Sequence, residues 1–406
     1  MRMNKKKEIV PKLRFPEFIG DKLKITKLGK ISSVVKEKAG ENKYTLMSVT
    51  SGVGLIPQTE KFGREIAGDS YKNYIVIRKY DFAYNKSATK QFPEGYISML
   101  EEYDIAAVPN SIFTCFRITG NESYPPFFDY LWHNNYHGHW LRKYIEVGAR
   151  AHGALSVDTK HLWSMPLALP DFKEQQKIAD CLSSIDELID AEKRKLKALE
   201  KYKKGLMQKL FPAEGKALPE WRFPEFQGCG EWNIDKLGNL CKITTGKLDA
   251  NAMVANGKYR FYTCAKEFFQ IDKYAFNTEA LLISGNGANV GYIHYYKGKF
   301  NAYQRTYVLD QFYEDIHYIQ YYLERNLSRR INTEKNEGNT PYIVLKTLTD
   351  MDIFFPKDLK EQQKIVDCLS KVDTMIEEQS NKVEQLKAHK KGLMQGLFPS
   401  LEEADV

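Results

Sequence analysis

Residues 173–212 read KEQQKIADCLSSIDELIDAEKRKLKALEKYKKGLMQKLFP, and residues 360–399 read KEQQKIVDCLSKVDTMIEEQSNKVEQLKAHKKGLMQGLFP. The two align without a gap at an offset of 187, and 23 of the 40 positions are identical. Agreement on this scale marks an internal duplication. A shorter pair supports it. Arg14-Phe15-Pro16-Glu17-Phe18 recurs as Arg222-Phe223-Pro224-Glu225-Phe226, and Lys-Leu-Gly follows at 27–29 and again at 236–238. Each half therefore has one order: a short leading motif, a long aromatic segment, then a 40-residue repeat. The motifs and repeats match, whereas the segments between them hardly do.

Alternating steps of four and three from Ile178 reach Leu182, Ile185, Ile189, Glu192, Leu196, Leu199, Lys203, Leu206 and Leu210. The copy runs Ile365, Leu369, Val372, Ile376, Gln379, Val383, Leu386, Lys390, Leu393 and Leu397. Eight of ten positions are apolar in each, and the polar breaks coincide. A heptad seam of this length predicts a coiled coil. Asp171 with Glu174, and Asp358 with Glu361, have capping-box spacing. Phe211-Pro212 and Phe398-Pro399 stop the helices, because proline lacks the amide hydrogen and blocks the preceding turn. Forty residues make a rod of roughly 60 Å. The simplest partner for each seam is the other.

The chain has 406 residues, too many for one ordinary core. Its hydrophobic fraction of 43% and charged fraction of 28% exclude disorder throughout. The net charge of +8 is a mild basic excess, compatible with nucleic acid. The 25 Tyr and 22 Phe call for β-rich cores or stacking surfaces. Cysteines at 115, 181, 229, 241, 264 and 368 form no Cys-x-x-Cys, so they read as free thiols in a reducing compartment. No run approaches the ~20 apolar residues of a membrane helix. A cytoplasmic protein is expected.

The predicted fold class is α+β. Two aromatic domains, residues 1–170 and 213–357, alternate with helices at 171–212 and 358–399, and an acidic tail at 400–406 follows. The helices pair as an antiparallel coiled coil with pseudo-two-fold symmetry. Residues 74–77, 112–118 and 280–284 read as strands. Residues 126–144 and 316–331 read as helices.

Motifs that could carry chemistry fail on inspection. Gly285-Asn286-Gly287-Ala288-Asn289-Val290-Gly291 resembles a phosphate loop, but residues 292–296 read as a strand, leaving no helix N-terminus to hold a pyrophosphate. Tyr124-Pro125-Pro126-Phe127 resembles an amino-methyltransferase motif but lacks the side-chain carbonyl that would accept from an amine. Pro170-Asp171 with Glu214 and Lys216 formally fits a metal-nuclease signature, yet a long helix separates its parts. His133 and His137 have zinc spacing but no Glu as base. Catalytic and metal residues are expected to be absent.

Amides and cations among aromatics remain, in both halves. In the first these are Tyr84, Asn85, Lys86, Ser87, Lys90, Arg150 and His152. In the second they are Ser284, Asn286, Asn289, Tyr303, Gln304, Arg305, Arg329 and Arg330. Arg and Lys can reach guanine acceptors, Asn and Gln can pair with adenine, and Ser, Thr and Lys can hold phosphate. Each also fits a solvated loop. Their occurrence in both halves points to a two-site DNA reader.

This order resembles the specificity subunit of Type I restriction–modification systems. The resemblance is carried by residues 173–178 with 203–208, by their copies 360–365 and 390–395, and by Arg14-Phe15-Pro16 and Trp221-Arg222-Phe223-Pro224. It implies two target-recognition domains held apart by conserved helices. The DNA target is then bipartite, gapped and asymmetric. It also implies assembly with two modification (methyltransferase) subunits and with restriction (motor–nuclease) subunits. S-adenosylmethionine, ATP and Mg²⁺ would belong to those partners, and this chain would hold no cofactor. The faithful repetition of Lys203, Leu206, Met207 and Gln208 as Lys390, Leu393, Met394 and Gln395 suggests that these residues meet the modification subunits. The alternatives are a protein-only coiled-coil adaptor and a single-chain DNA methyltransferase or nuclease.

Overall fold

Two 39-residue helices, Phe172–Leu210 and Leu359–Leu397, occupy the two repeats in the computed structural model. The structure describes residues 10–145, 158–333 and 342–399. None of the twenty seam positions is exposed. The helices run antiparallel. In one unit Asp186 pairs with Lys390 at 2.6 Å and Glu192 with Lys382 at 2.5 Å. In the other, Lys203 pairs with Asp373 at 2.7 Å. Asp186–Lys390 and Asp373–Lys203 are copies under the offset of 187. The lysines are polar breaks in the seam, and a polar seam residue specifies register. Tyr130 donates its hydroxyl proton to Asp186 at 3.0 Å, as Tyr321 does to Asp373 at 2.6 Å.

The chain divides within each helix. One unit comprises residues 1–192 with 382–406, and the other residues 193–381. The reason is packing at the helix ends. In the first unit Ile178 and Leu182 share a core with Met394, Leu397 and Phe398, against Phe127, Phe128 and Trp132. In the second, Ile365 and Leu369 share a core with Leu210 and Phe211, against Tyr318, Tyr322 and Leu323. Each domain thus buries the start of one helix and the end of the other.

The sheets repeat one plan. The first unit has a four-stranded sheet ordered Ser32–Val34, Phe113–Ile118, Asp81–Asn85, Tyr96–Met99, antiparallel throughout. In the second, the order is Lys242–Thr245, Thr306–Asp310, Phe276–Ser284, Ile293–Ala302, again antiparallel. Two further strands, Tyr259–Tyr262 and Phe269–Ile271, extend this sheet beyond Ile293–Ala302. A two-stranded ladder precedes each long helix: Lys24–Lys27 with Pro166–Leu169, and Asn233–Lys236 with Asp352–Phe355. Alternation of side chains gives the second sheet two apolar faces. Leu281, Ile283 and Leu309 join the core on one, and Ala280, Leu282 and Val308 join a smaller cluster on the other.

The repeated motifs are mutual partners. Arg14 donates Nε and Nη2 to the two carboxylate oxygens of Glu174 at 2.8 and 2.7 Å. Arg222 does the same to Glu361 at 2.6 and 2.7 Å. Lys177 pairs with Glu17, and Lys364 with Glu225. Asp171 caps its helix by accepting from the Glu174 amide at 2.7 Å. The Glu174 carboxylate reaches Arg14 instead of turning back, so the capping box is only half formed. Gln175 and Gln362 donate to the carbonyls of Pro170 and Pro356 and tie each helix start to its ladder.

The helix expected over 126–144 is two helices, Pro125–His133 and Tyr136–Leu141, followed by a 3-10 turn at Arg142–Tyr144. Asn135, at φ 58°, breaks it in the left-handed conformation that asparagine tolerates. Gly138 admits the turn, since a Cβ there would lie 2.1 Å from Asn135 Oδ1.

Candidate nucleic-acid interface

In the second unit, residues 285–292 close the hairpin between Phe276–Ser284 and Ile293–Ala302. This glycine-rich stretch is a hairpin loop and not a phosphate loop. The Gly285 amide donates to Arg305 O at 2.8 Å, and the Gly291 amide to Ser284 O at 2.8 Å. A Cβ at Gly285 would come within 2.4 Å of Arg305 O, so glycine is what lets loop 285–291 lie against turn 303–305. Asn289 Nδ2 donates to Cys264 O at 3.0 Å, which draws in turn 263–268. The Gln304 amide donates to Leu248 O at 2.9 Å and its Nε2 to Asp249 at 2.8 Å, which adds residues 247–249. Four segments thus form one surface. Ala288, Gln304, Arg305, Lys247 and Lys266 are exposed on it, and Asn286, Asn289 and Tyr303 are half-buried. The Arg305 side chain has no hydrogen-bond or ion-pair partner among the described residues.

The corresponding hairpin of the first unit joins Asp81–Asn85 to Tyr96–Met99. Lys86 and Ser87 are half-buried and Lys90 is exposed. The Lys86 amide donates to Ile112 O at 3.4 Å, and Phe92 packs against Gly52 in the turn 51–53. Sequence reasoning passed over that turn, although Ser51-Gly52-Val53-Gly54 was legible as one.

Several of the expected contact residues lie elsewhere in the structure. Tyr84 lies in the core and donates its hydroxyl proton to Glu94 O at 2.8 Å. Asn85 is buried, donates to Val49 O at 3.4 Å and accepts from the Ser87 amide at 2.9 Å, which shapes the loop. Ser284 is fully buried opposite Thr306. Tyr84 and Asn85 are successive residues and point to opposite faces, but the strand is covered on both, so every residue of Asp81–Asn85 is buried. Arg329 pairs with Glu214 at 2.8 Å, beside the end of the first long helix. Its helical neighbour Arg330 is half-buried. Arg150 and His152 lie outside the described residues.

The residues expected to meet a partner divide similarly. Leu206 and Met207 pack on the core of the second unit, Leu393 packs on that of the first, and Met394 lies within it. Lys203 and Lys390 make the ion pairs described above. Docking of the helix ends engages these six residues. Only Gln208 and Gln395 of the set are exposed.

His133 and His137 do not converge on a metal. His133 lies 3.4 Å from Asp129, while His137 is buried against Tyr84 and Trp132 and donates from Nε2 to Gly95 O at 3.3 Å. Among the described residues no group of three His, Cys, Asp or Glu could hold a metal ion. No described helix is long and apolar enough to cross a membrane.

A profile of the Type I restriction modification DNA specificity domain matches this chain twice, at residues 29–201 and 230–388. The chain belongs to that specificity family. Each match covers one domain and most of the helix that follows it. The specificity subunit of the Escherichia coli Type I enzyme EcoDI is 39% identical over 157 residues, which are 38% of this chain and 34% of that protein. A putative type I specificity subunit of Mycoplasma genitalium is 23% identical over 238 residues, 57% of this chain and 60% of its own. The chain thus aligns with between a third and three fifths of the length of these relatives. Among solved structures, the S subunit of a Type I restriction–modification system from M. genitalium shares the fold with a TM-score of 0.60 at 16% identity, covering 97% of this chain and 100% of its own. A chain from a study of complex assembly in the type I system gives 0.57 at 18% identity, covering 93% and 97%.

The first hairpin rests on a titratable support. Burial depresses the His137 pKa from 6.5 to about 4. The unfolded chain takes up a proton first, so this contribution is present above pH 6.5 and is lost as pH falls towards 4. The loss is about 3 kcal/mol. Asp129, whose pKa is raised by burial, works in the opposite sense. The difference between wild type and His137→Leu isolates the histidine. Urea unfolding at pH 7 and 4.5 is expected to show less acid destabilisation in the variant. Identical losses would remove His137 as the cause.

Proposed function

We propose that this chain is the DNA-recognition subunit of a Type I restriction–modification complex. It reads a bipartite, gapped and asymmetric target, one half-site with each domain. The observation that carries this is a single sheet plan used twice, with unlike loops on the same hairpin. A shared scaffold with divergent loops suits two readers of different sequences, as loops on a rigid frame carry recognition. The chain performs no chemistry itself. The methyltransferase and restriction subunits bring S-adenosylmethionine, ATP and Mg²⁺. Two modification subunits would meet the two equivalent helix ends through the exposed Gln208 and Gln395. Such a complex works in the cytoplasm.

Mapping methylated adenine in cells that express this chain with its partner subunits tests the reading. A two-part motif with unlike halves is expected. Methyl transfer by the isolated chain would defeat it. The readers should also separate. Arg305→Ala is expected to relax one half-site by about 1–3 kcal/mol of base discrimination, and Lys90→Ala should leave that half-site alone. Equal weakening of both halves by Arg305→Ala would show that Arg305 is no base reader.

A further inference from the structure

We propose that Arg260 is a phosphate-binding residue of the second domain. It is held between two aromatic rings to contact the DNA backbone beside the half-site read by loop 285–291 and turn 303–305. This rests on the reading of DNA recognition given above. The Arg260 guanidinium lies 4.2 Å from the centre of the Phe268 ring and 4.6 Å from that of Tyr296. Its Nη1 donates to the Tyr262 hydroxyl at 3.3 Å. An arginine stacked on two rings is already ordered, so a ligand that binds it does not have to immobilise it. The aromatic faces also favour the cation without neutralising it.

The contrast with other arginines of the chain is informative. Arg14, Arg78, Arg117, Arg142, Arg222 and Arg329 each pair with a carboxylate. Arg260 has none among the described residues. Its full charge is left for an anion from outside, and the flat guanidinium suits two oxygens of a phosphodiester.

Its place fits that ligand. Strand Tyr259–Tyr262 runs into turn 263–268, which accepts hydrogen bonds from Asn289 at Cys264 O and from His294 at Ala265 O. The turn is therefore tied to the reading loop. It also presents the exposed Lys266, whose Nζ lies 5.9 Å from the centre of the Tyr292 ring. Phe268 itself is 45% exposed. Aromatic rings interleaved with cations are what backbone-tracking nucleic-acid surfaces use. Among the described residues, strands Tyr259–Tyr262 and Phe269–Ile271 have no counterpart in the four-stranded sheet of the first unit. The contact therefore belongs to one half-site only.

The test uses the full chain assembled with its modification subunits, titrated onto cognate and non-cognate duplexes over a range of salt. R260Q is expected to weaken both duplexes by the same factor, roughly threefold to tenfold. It should also make the slope of log K against log [salt] shallower by about 0.9, the signature of one lost phosphate contact. The methylated sequence should not change. R260K keeps the charge but not the flat fork, so it should retain the slope and weaken both duplexes. It serves also if R260Q fails to fold. An unchanged slope in a folded R260Q, an altered sequence preference, or an R260K indistinguishable from wild type would overturn the proposal. Wild-type protein that does not distinguish cognate from non-cognate duplex would instead defeat the reading of function.

Discussion

Glu361→Gln is expected to destabilise the second unit by about 3–5 kcal/mol, the usual cost of breaking a buried ion pair by removing one partner. The Glu361 side chain is 1% exposed and Arg222 is 10% exposed. Both carboxylate oxygens accept from Arg222, and one also accepts from Trp232 Nε1 at 3.3 Å. The amide would accept at one atom only and would leave the Arg222 charge largely buried and uncompensated. Its hydrogen bond with Glu361 raises the Arg222 pKa further, so the guanidinium cannot escape by losing its proton. The double variant Arg222→Leu with Glu361→Leu removes both charges and should recover much of the loss. Urea unfolding gives all three values. A Glu361→Gln cost below about 1 kcal/mol would mean that the pair is screened like a surface bridge. The equivalent pair, Arg14 with Glu174, should behave alike in the first unit.

Lengthening both helices is expected to move the target rather than weaken it. The chain passes from one unit to the other between residues 192 and 193 and again between 381 and 382. Four residues inserted at each place roughly preserve helical phase and lengthen each helix by about 6 Å. At about 3.4 Å per base pair, that is one or two base pairs. The ion pairs Asp186–Lys390 and Lys203–Asp373 lie on either side of the insertions and should hold the register of each part. Sequencing of methylated adenine in cells carrying the variant should show the same two half-sites with a longer gap. Changed half-sites at a constant gap would mean that the helices are not the ruler.

Much of this protein was legible in its residues. The duplication predicted both long helices to within two residues, because a heptad pattern and a terminal proline act locally. The hairpin at 285–291 was readable because residues 292–296 read as a strand and not as a helix, and the strand Ile293–Ala302 does follow. The half-formed capping box shows where such reading stops. Asp171 caps its helix as its spacing predicts, since its partner is three residues away. Glu174 has the same local cue, yet its carboxylate pairs with Arg14, 160 positions earlier. Nothing in the spacing of one helix can announce so distant a partner.

Tyr84, Ser284 and Met394 make the same point for the site. Each belongs to a residue type that can bind a ligand, and each sits in a segment that meets the surface. Which side of a strand or helix turns inward depends on what covers it, and the cover comes from elsewhere in the chain. Phe127 and Phe398 cover the end of the second helix, so Met394 packs inside. The repeat and its period determine two domains on paired helices, because period and duplication are properties of the chain itself. The clasp of Arg222 on Glu361, the inward turn of Tyr84 and the two rings around Arg260 were decided only by tertiary structure, because each depends on groups that are brought together when the chain has folded.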